Sequence, residues 1–202
     1  SEIVETGRPA RAQSGVQYGT AVHKVMELLS FSESLRVESA GAAGSADESK
    51  TRKRLYAVLK SEQEQWIAEG TVTPDELACV SMGKMLCFFQ SGLSQRMIAA
   101  NQRKELFKEQ PFVLGISADK VKPSFPPTET VLIQGVIDVF FYENDEIVLA
   151  DYKTDKVSCK EELVRRYRTQ LDYYQMALEQ ITGKRVKERY LYSFYLQEEI
   201  DV

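Results

Sequence analysis

Apolar residues recur along the chain at two different periods, and the change from one to the other divides it. From Gly19 to Ser30, Val22, Val25, Met26, Leu28 and Leu29 fall at helical spacing, with His23 inside the same stretch. Residues 51–69 carry Leu55, Val58, Leu59, Trp66 and Ile67 among many charges, the pattern of an amphipathic helix with one solvated face. Thr73-Pro74-Asp75-Glu76 is a helix start, with Thr73 as N-cap, proline at the first helical position and Glu76 placed to close a capping box. Helical spacing continues to about Ala100. The period then shortens. Residues 103–114, with Phe107, Phe112 and Val113, include a strand, and Pro123, Pro126 and Pro127 make 117–128 a loop. Residues 130–142 are β-branched and aromatic. Glu143-Asn144-Asp145 turns them into a returning strand, 146–153, so the two predict an antiparallel hairpin. Residues 160–182 predict a long helix closed by Gly183, and 186–196 a last strand.

Helices followed by strand–strand–strand–helix–strand predict a mixed α+β (α/β) fold, one sheet packed against helices. The polar residues 1–16 read as a linker or arm, and the small polar residues 38–49 as a loop. Residues 17–202 then form a single domain, mainly helical over 17–102 and sheet-containing over 103–202. The chain has 202 residues, 43% hydrophobic and 28% charged, which is enough for one large domain with its own core.

Charge and cysteine content exclude some classes. The net charge of −4 taken alone argues against a general polyanion binder. It is uneven, however. Residues 151–190 hold ten Lys+Arg against seven Asp+Glu, while the remainder holds sixteen against twenty-three. Cys79, Cys87 and Cys159 are an odd number with no CxxC pair. That disfavours a zinc ribbon, a four-cysteine iron–sulfur cluster and a secreted disulfide framework, and it fits a reducing cytoplasm. His23 is the only histidine, which excludes a His-rich zinc site. No apolar run reaches the ~18–20 residues of a membrane span, and no signal-peptide pattern opens the chain, so no membrane partner is expected. No GxxxxGK[ST] loop occurs, so any ATP-driven motor lies elsewhere. The first residue is Ser1, which suggests a piece of something longer.

The hairpin carries the candidate chemistry. Asp138 sits near the end of one apolar strand, and Asp151 and Lys153 at the end of the next. Residues i and i+2 of a strand share a face, so Asp151 and Lys153 point the same way. Two carboxylates with a lysine beside them make a hard-oxygen site for Mg2+ or Mn2+. The plainer alternative is two aspartates that merely end strands at turns. On the next helix Gln170 and Tyr174, at i and i+4, share a face. Arg165, Arg166 and Arg168 on that helix suit either a solvated surface or a phosphate path.

Together these stretches resemble a known family. Gly135-Val136-Ile137-Asp138 matches the GxxD strand of the RecB-type nucleases of the PD-(D/E)XK superfamily. Asp151-Tyr152-Lys153-Thr154-Asp155-Lys156 matches its DYKT strand, and Gln170 with Tyr174 its QxxxY helix. Gly19-Thr20-Ala21-Val22-His23 matches its G-[ST]-x-x-H helix and Glu109-Gln110-Pro111-Phe112 its ExPF strand. The five elements stand in the family's order over residues 19–196. Within the family the chain is most similar to the AddA-type nuclease domain of AddAB helicase–nucleases.

The resemblance implies a restriction-endonuclease-like core, a central mixed sheet flanked by helices, with an N-terminal helical region. It implies a Mg2+-dependent DNA exonuclease domain, with Mn2+ or Ca2+ able to substitute in binding and no iron–sulfur cluster. His23, Asp138, Asp151 and the backbone carbonyl of Tyr152 are the implied metal ligands. Asp138, Asp151, Lys153, Gln170 and Tyr174 are the implied catalytic set. Lys153 would orient the attacking water or offset charge on the phosphorane oxygens, Gln170 hold that water or a phosphate, and Tyr174 brace the strand or contact DNA. Glu109 would assist a second metal or only support the site. The implied partners are single-stranded DNA, helicase domains of the same parent chain and an AddB-type subunit, in double-strand-break repair and recombination. Lys156, Lys160 and the three arginines are candidates for the phosphate path. The alternative is a nuclease-like module that binds DNA or a partner without cutting. Such modules usually lose the lysine or an acidic ligand, and here all are present.

Overall fold

A computed structural model of the chain describes residues 10–37, 45–121 and 123–202. Helices α1 (Ala10–Leu28), α2 (Ser45–Ala68), α3 (Pro74–Ala78), α4 (Met82–Phe89) and α5 (Gly92–Gln102) come first. Strand β1 (Leu106–Ser117), a one-turn helix α6 (Ala118–Val121), β2 (Thr130–Glu143), β3 (Glu146–Lys153), α7 (Lys160–Thr182), β4 (Val186–Ser193) and β5 (Glu198–Asp201) follow. The strands form one mixed sheet in the order β1-β2-β3-β4-β5, in which only the β3–β4 pair is parallel. That pair is joined through α7, the crossover a parallel pair requires.

The local signals explain the element boundaries. Asn144 and Asp145 both take positive φ, 55° and 67°, so the two-residue turn twists as the hairpin needs. Thr73 and Glu76 close the capping box at α3. Gly183 ends α7 in the left-handed conformation, φ 68°, and its N–H donates to the Glu179 carbonyl.

Four boundaries differ from the sequence pattern. Strand β1 runs to Ser117 and α6 occupies Ala118–Val121, inside the expected 117–128 loop. Helix α1 begins at Ala10, so the segment expected as an arm is helical from there; residues 1–9 lie outside the described residues. Helix α2 begins at Ser45, inside the expected 38–49 loop, of which 38–44 lie outside the described residues. The last strand stops at Ser193. The chain turns over residues 194–197, with Gln197 at φ 60°, and returns as β5, which pairs Ile200 with Leu191.

Two cores sandwich the sheet. Val139, Phe141, Val148, Ala150, Tyr152 and Tyr192 pack against α1 to α5, where Phe88 touches Phe31, Phe89, Tyr152, Tyr192 and Phe194. Phe112, Leu114, Ile137, Phe140, Ile147, Leu149 and Leu191 pack against Leu163, Leu171, Tyr174 and Leu178 of α7. Strand β3 is apolar along 147–150 because both of its faces are covered.

Strands β1 and β2 share one irregularity. Phe107 packs on the α7 side together with Phe112 and Leu114, so β1 steps out of strict alternation between them. On β2, Phe140 and Ile137 lie on one side and Val139 on the other, the same step. The two steps coincide. Glu109 lies opposite Asp138, between the pairs Lys108↔Val139 and Gln110↔Ile137, and holds φ 48°. Positive φ is costly for a residue other than glycine and persists only where its surroundings impose it.

Two motif glycines are required by close approach. A Cβ on Gly19 would lie 3.2 Å from the Thr154 hydroxyl, where α1 crosses the end of β3. A Cβ on Gly135 would lie 3.0 Å from the ring of Phe112, its cross-strand partner, and that ring makes an edge contact with Tyr174 at 5.4 Å. The glycine, the phenylalanine and the tyrosine of three separate motifs thus fit one another. Gly135→Ala is expected to cost about 1–3 kcal/mol by overpacking. In a Phe112→Leu background, urea denaturation should show most of that cost gone; an unchanged cost would place the strain elsewhere.

Candidate metal and active site

The site lies where β2 leaves β3. The ladder between these strands ends at Val139↔Ala150, while β3 continues to Lys153, still paired with β4. Asp138 occupies the fork. Its Oδ2 accepts the Tyr152 N–H at 2.8 Å, standing in for the ladder bond that β2 no longer supplies. The N–H and C=O of one strand residue point to the same edge, so the Tyr152 carbonyl also faces the fork. The Lys153 carbonyl faces the other way and accepts the Phe194 N–H at 2.8 Å.

Around the fork, three elements bring ligand-type atoms together. His23 from α1 has Nδ1 3.4 Å from Asp138 Oδ1. Glu109 comes from the irregular point of β1. One ligand atom from each of His23, Glu109 and Asp138 lies within 4.8 Å of the others. A groove of about 430 Å3 lined by Gly19, Thr20, His23, Lys24, Glu27 and Glu109 gives access.

A second group adjoins the first from the α7 side. Asp151, 1% exposed, has Oδ2 2.5 Å from Lys153 Nζ. The two form a buried ion pair, in which the Asp151 oxygen is held by the lysine alone. Gln170 ties the group: its Oε1 accepts from Lys153 Nζ at 3.1 Å, and its Nε2 donates to Asp151 Oδ1 at 3.4 Å and to the Tyr174 hydroxyl at 2.5 Å.

The electrostatics follow from this crowding. Burial, and then the Asp138 charge, push the Glu109 carboxyl up to about 7. Burial and the Asp138 charge also raise Asp151, against the pull of Lys153. Burial works to lower the His23 pKa, but the hydrogen bond to Asp138 and the charges of Asp138 and Asp151 outweigh it, and the net shift is upward. Burial raises the Tyr174 hydroxyl to about 12, keeping it neutral. Three carboxylates, Glu109, Asp138 and Asp151, crowd at one place, where Asp138 raises the pKa of the other two, and Lys153 pairs with only one of them. Carboxylates, a backbone carbonyl and one imidazole nitrogen suit a small, hard divalent cation.

The residues expected from the sequence therefore fall into two adjoining groups, His23 with Asp138, and Asp151 with Lys153, Gln170 and Tyr174. Glu109, expected either to assist a second metal or only to support the site, lies with His23 and Asp138; its position before Pro111-Phe112 was the signal available. The arginines separate. Arg166 bonds Asp155 and Glu162, each at 2.8 Å. Arg165 and Arg168 line a different groove of about 720 Å3 between α7 and β5, with Lys160, Glu199 and Asp201. Tyr167, which the sequence did not single out, places its ring beneath Lys153.

The sequence is similar to those of known proteins. A family model described as the PD-(D/E)XK nuclease superfamily matches residues 3–200. The chain is 32% identical over 194 residues to the A-type subunit of the ATP-dependent helicase/nuclease of Clostridium novyi (strain NT), an alignment covering 93% of this chain and 14% of that protein. It is 36% identical over 192 residues to the protein of that name from Clostridium botulinum (strain Alaska E43 / Type E3), covering 93% and 14%. With that from Syntrophomonas wolfei subsp. wolfei it shares 48% over 133 residues, covering 65% and 10%. The chain thus spans a small part of the length of these relatives. Among the described residues, no helix is long and apolar enough to cross a membrane.

Proposed function

The chain belongs to the PD-(D/E)XK nuclease superfamily, and on that premise we propose that it is a Mg2+-dependent DNA exonuclease domain. In this reading it hydrolyses phosphodiester bonds of single-stranded DNA delivered by helicase domains of its parent chain. The work belongs to double-strand-break repair and recombination in the bacterial cytoplasm, beside an AddB-type subunit. Residues 17–202 act as one nuclease unit. The observation that carries the reading is the meeting of two aspartates and a lysine at one strand fork, next to a groove lined by His23 and Glu109.

His23, Glu109, Asp138, Asp151 and the Tyr152 carbonyl are the groups that would hold the ion. A bound Mg2+ (Mn2+ and Ca2+ are expected to substitute in binding) supplies activation of a water and neutralises charge on the scissile phosphate. The chain's own residues do the rest. Lys153 brings a positive charge to the edge of the fork, where it offsets charge developing on the phosphate oxygens. Gln170 fixes Lys153 and Asp151 relative to each other. Tyr174, neutral and wedged against Phe112, keeps Gln170 in place. Arg166 pairs with Asp155, the residue that also accepts from Tyr167.

The test is digestion of end-labelled linear DNA by this chain. With Mg2+, linear single strands are expected to shorten from their ends, circular single strands to survive, and EDTA to stop the reaction. Cutting of circles would overturn the exonuclease reading. Intact linear DNA with both Mg2+ and Mn2+ would favour a module that binds without cutting.

A further inference from the structure

Lys153 carries its charge on a flexible four-carbon stem, so its place depends on what holds it. Three groups do. Asp151 Oδ2 lies at 2.5 Å, Gln170 Oε1 at 3.1 Å, and the Nζ stands 4.0 Å from the centroid of the Tyr167 ring. Tyr167 is itself anchored. Its hydroxyl donates to Asp155 Oδ2 at 2.8 Å, and Asp155 Oδ1 accepts from Arg166 at 2.8 Å. Tyr167 precedes Gln170 by one turn of α7, and Gln170 precedes Tyr174 by another. One helix face therefore presents a ring, an amide and a hydroxyl to the end of β3.

We propose that Tyr167 is a positioning residue for Lys153, its ring face holding the ammonium at the fork so that the charge remains available to the scissile phosphate. The three partners of Lys153 differ in what they leave. Asp151 neutralises the lysine charge, and it also faces the acidic cluster. Gln170 fixes direction with one hydrogen bond. An aromatic face attracts a cation through its quadrupole and leaves the net positive charge intact. The Lys153 side chain is only 11% exposed, so water competes weakly for it and the ring contact gains strength.

The inference rests on the nuclease reading above, and its test keeps the two apart. With linear single-stranded DNA and Mg2+, Tyr167→Leu is expected to lower kcat by ~10-fold with KM unchanged, the scale of a desolvated cation–π contact. Tyr167→Phe keeps the ring, loses the bond to Asp155, and is expected to recover most of that loss. A Leu variant with wild-type kcat overturns the proposal, and so does a loss that Phe does not recover, which would assign the effect to the hydroxyl. A wild-type chain that never cuts sinks the nuclease reading alone. NMR of ε-13C-labelled lysine then decides the positioning role. The Lys153 ε-CH2 protons should be shifted upfield by the ring in wild type and Tyr167→Phe, and return in Tyr167→Leu. No such shift in wild type overturns the proposal.

Discussion

Lys153→Ala is expected to slow DNA cleavage by roughly 100- to 1,000-fold at saturating DNA and Mg2+, the usual scale for losing one preorganised charge aimed at a transition state. The side chain is directed by Asp151, Gln170 and Tyr167 from three sides, so its charge stands at a fixed place before substrate arrives. Such a charge acts when negative charge grows on the phosphate, and its loss should fall on kcat. Lys153→Met, which keeps most of the stem and its packing, should lose as much as Ala. Single-turnover cleavage separates the outcomes. A rise in KM with kcat intact would make Lys153 a DNA-binding residue, and wild-type rates in both variants would remove it from the site.

The parts of this site visible in the sequence were those set by short-range rules. The turn at Asn144-Asp145 fixed which strands pair, and the i, i+2 rule put Asp151 and Lys153 on one face. The i, i+4 rule put Gln170 with Tyr174. The rest depends on contacts between distant segments. Asp138 reads as a residue near the end of its strand; what stops beside it is that strand's partnership with β3, and strand divergence leaves no mark in either segment alone. Glu109 joins the ligand cluster because β1 and β2 leave alternation at the same point, a paired irregularity that a period-2 pattern cannot show. Strand β5 contributes one buried residue, Ile200, among acidic ones, too short an alternation to read. Tyr167 went unnoticed because its ring half covers a lysine of another element, and on the helix alone it is one more amphipathic tyrosine. The charge count misled in the same way: several of the carboxylates behind the −4 stand crowded at one cation-seeking fork, not spread over a repelling surface.

Asp138→Asn and Asp138→Ala should both lose cleavage by roughly 1,000-fold or more, since either removes charge worth several kcal/mol from the centre of the ligand cluster. They should differ in stability. The two oxygens of Asp138 do different work: Oδ2 accepts the buried Tyr152 N–H, and Oδ1 faces His23. Asparagine keeps an oxygen for the N–H. Alanine leaves that N–H without a partner, which costs about 1–3 kcal/mol. Thermal denaturation should therefore separate Ala from Asn. The single histidine gives an independent readout of the other oxygen. Burial alone would lower the His23 pKa, and Asp138 is the main group raising it, through its hydrogen bond and its charge. Without that charge the folded-state pKa must fall, so the His23 C2–H resonance should titrate at lower pH in Asp138→Asn than in wild type. Cleavage at wild-type rates in both variants would remove Asp138 from the metal site. An unmoved His23 titration would separate the imidazole from Asp138.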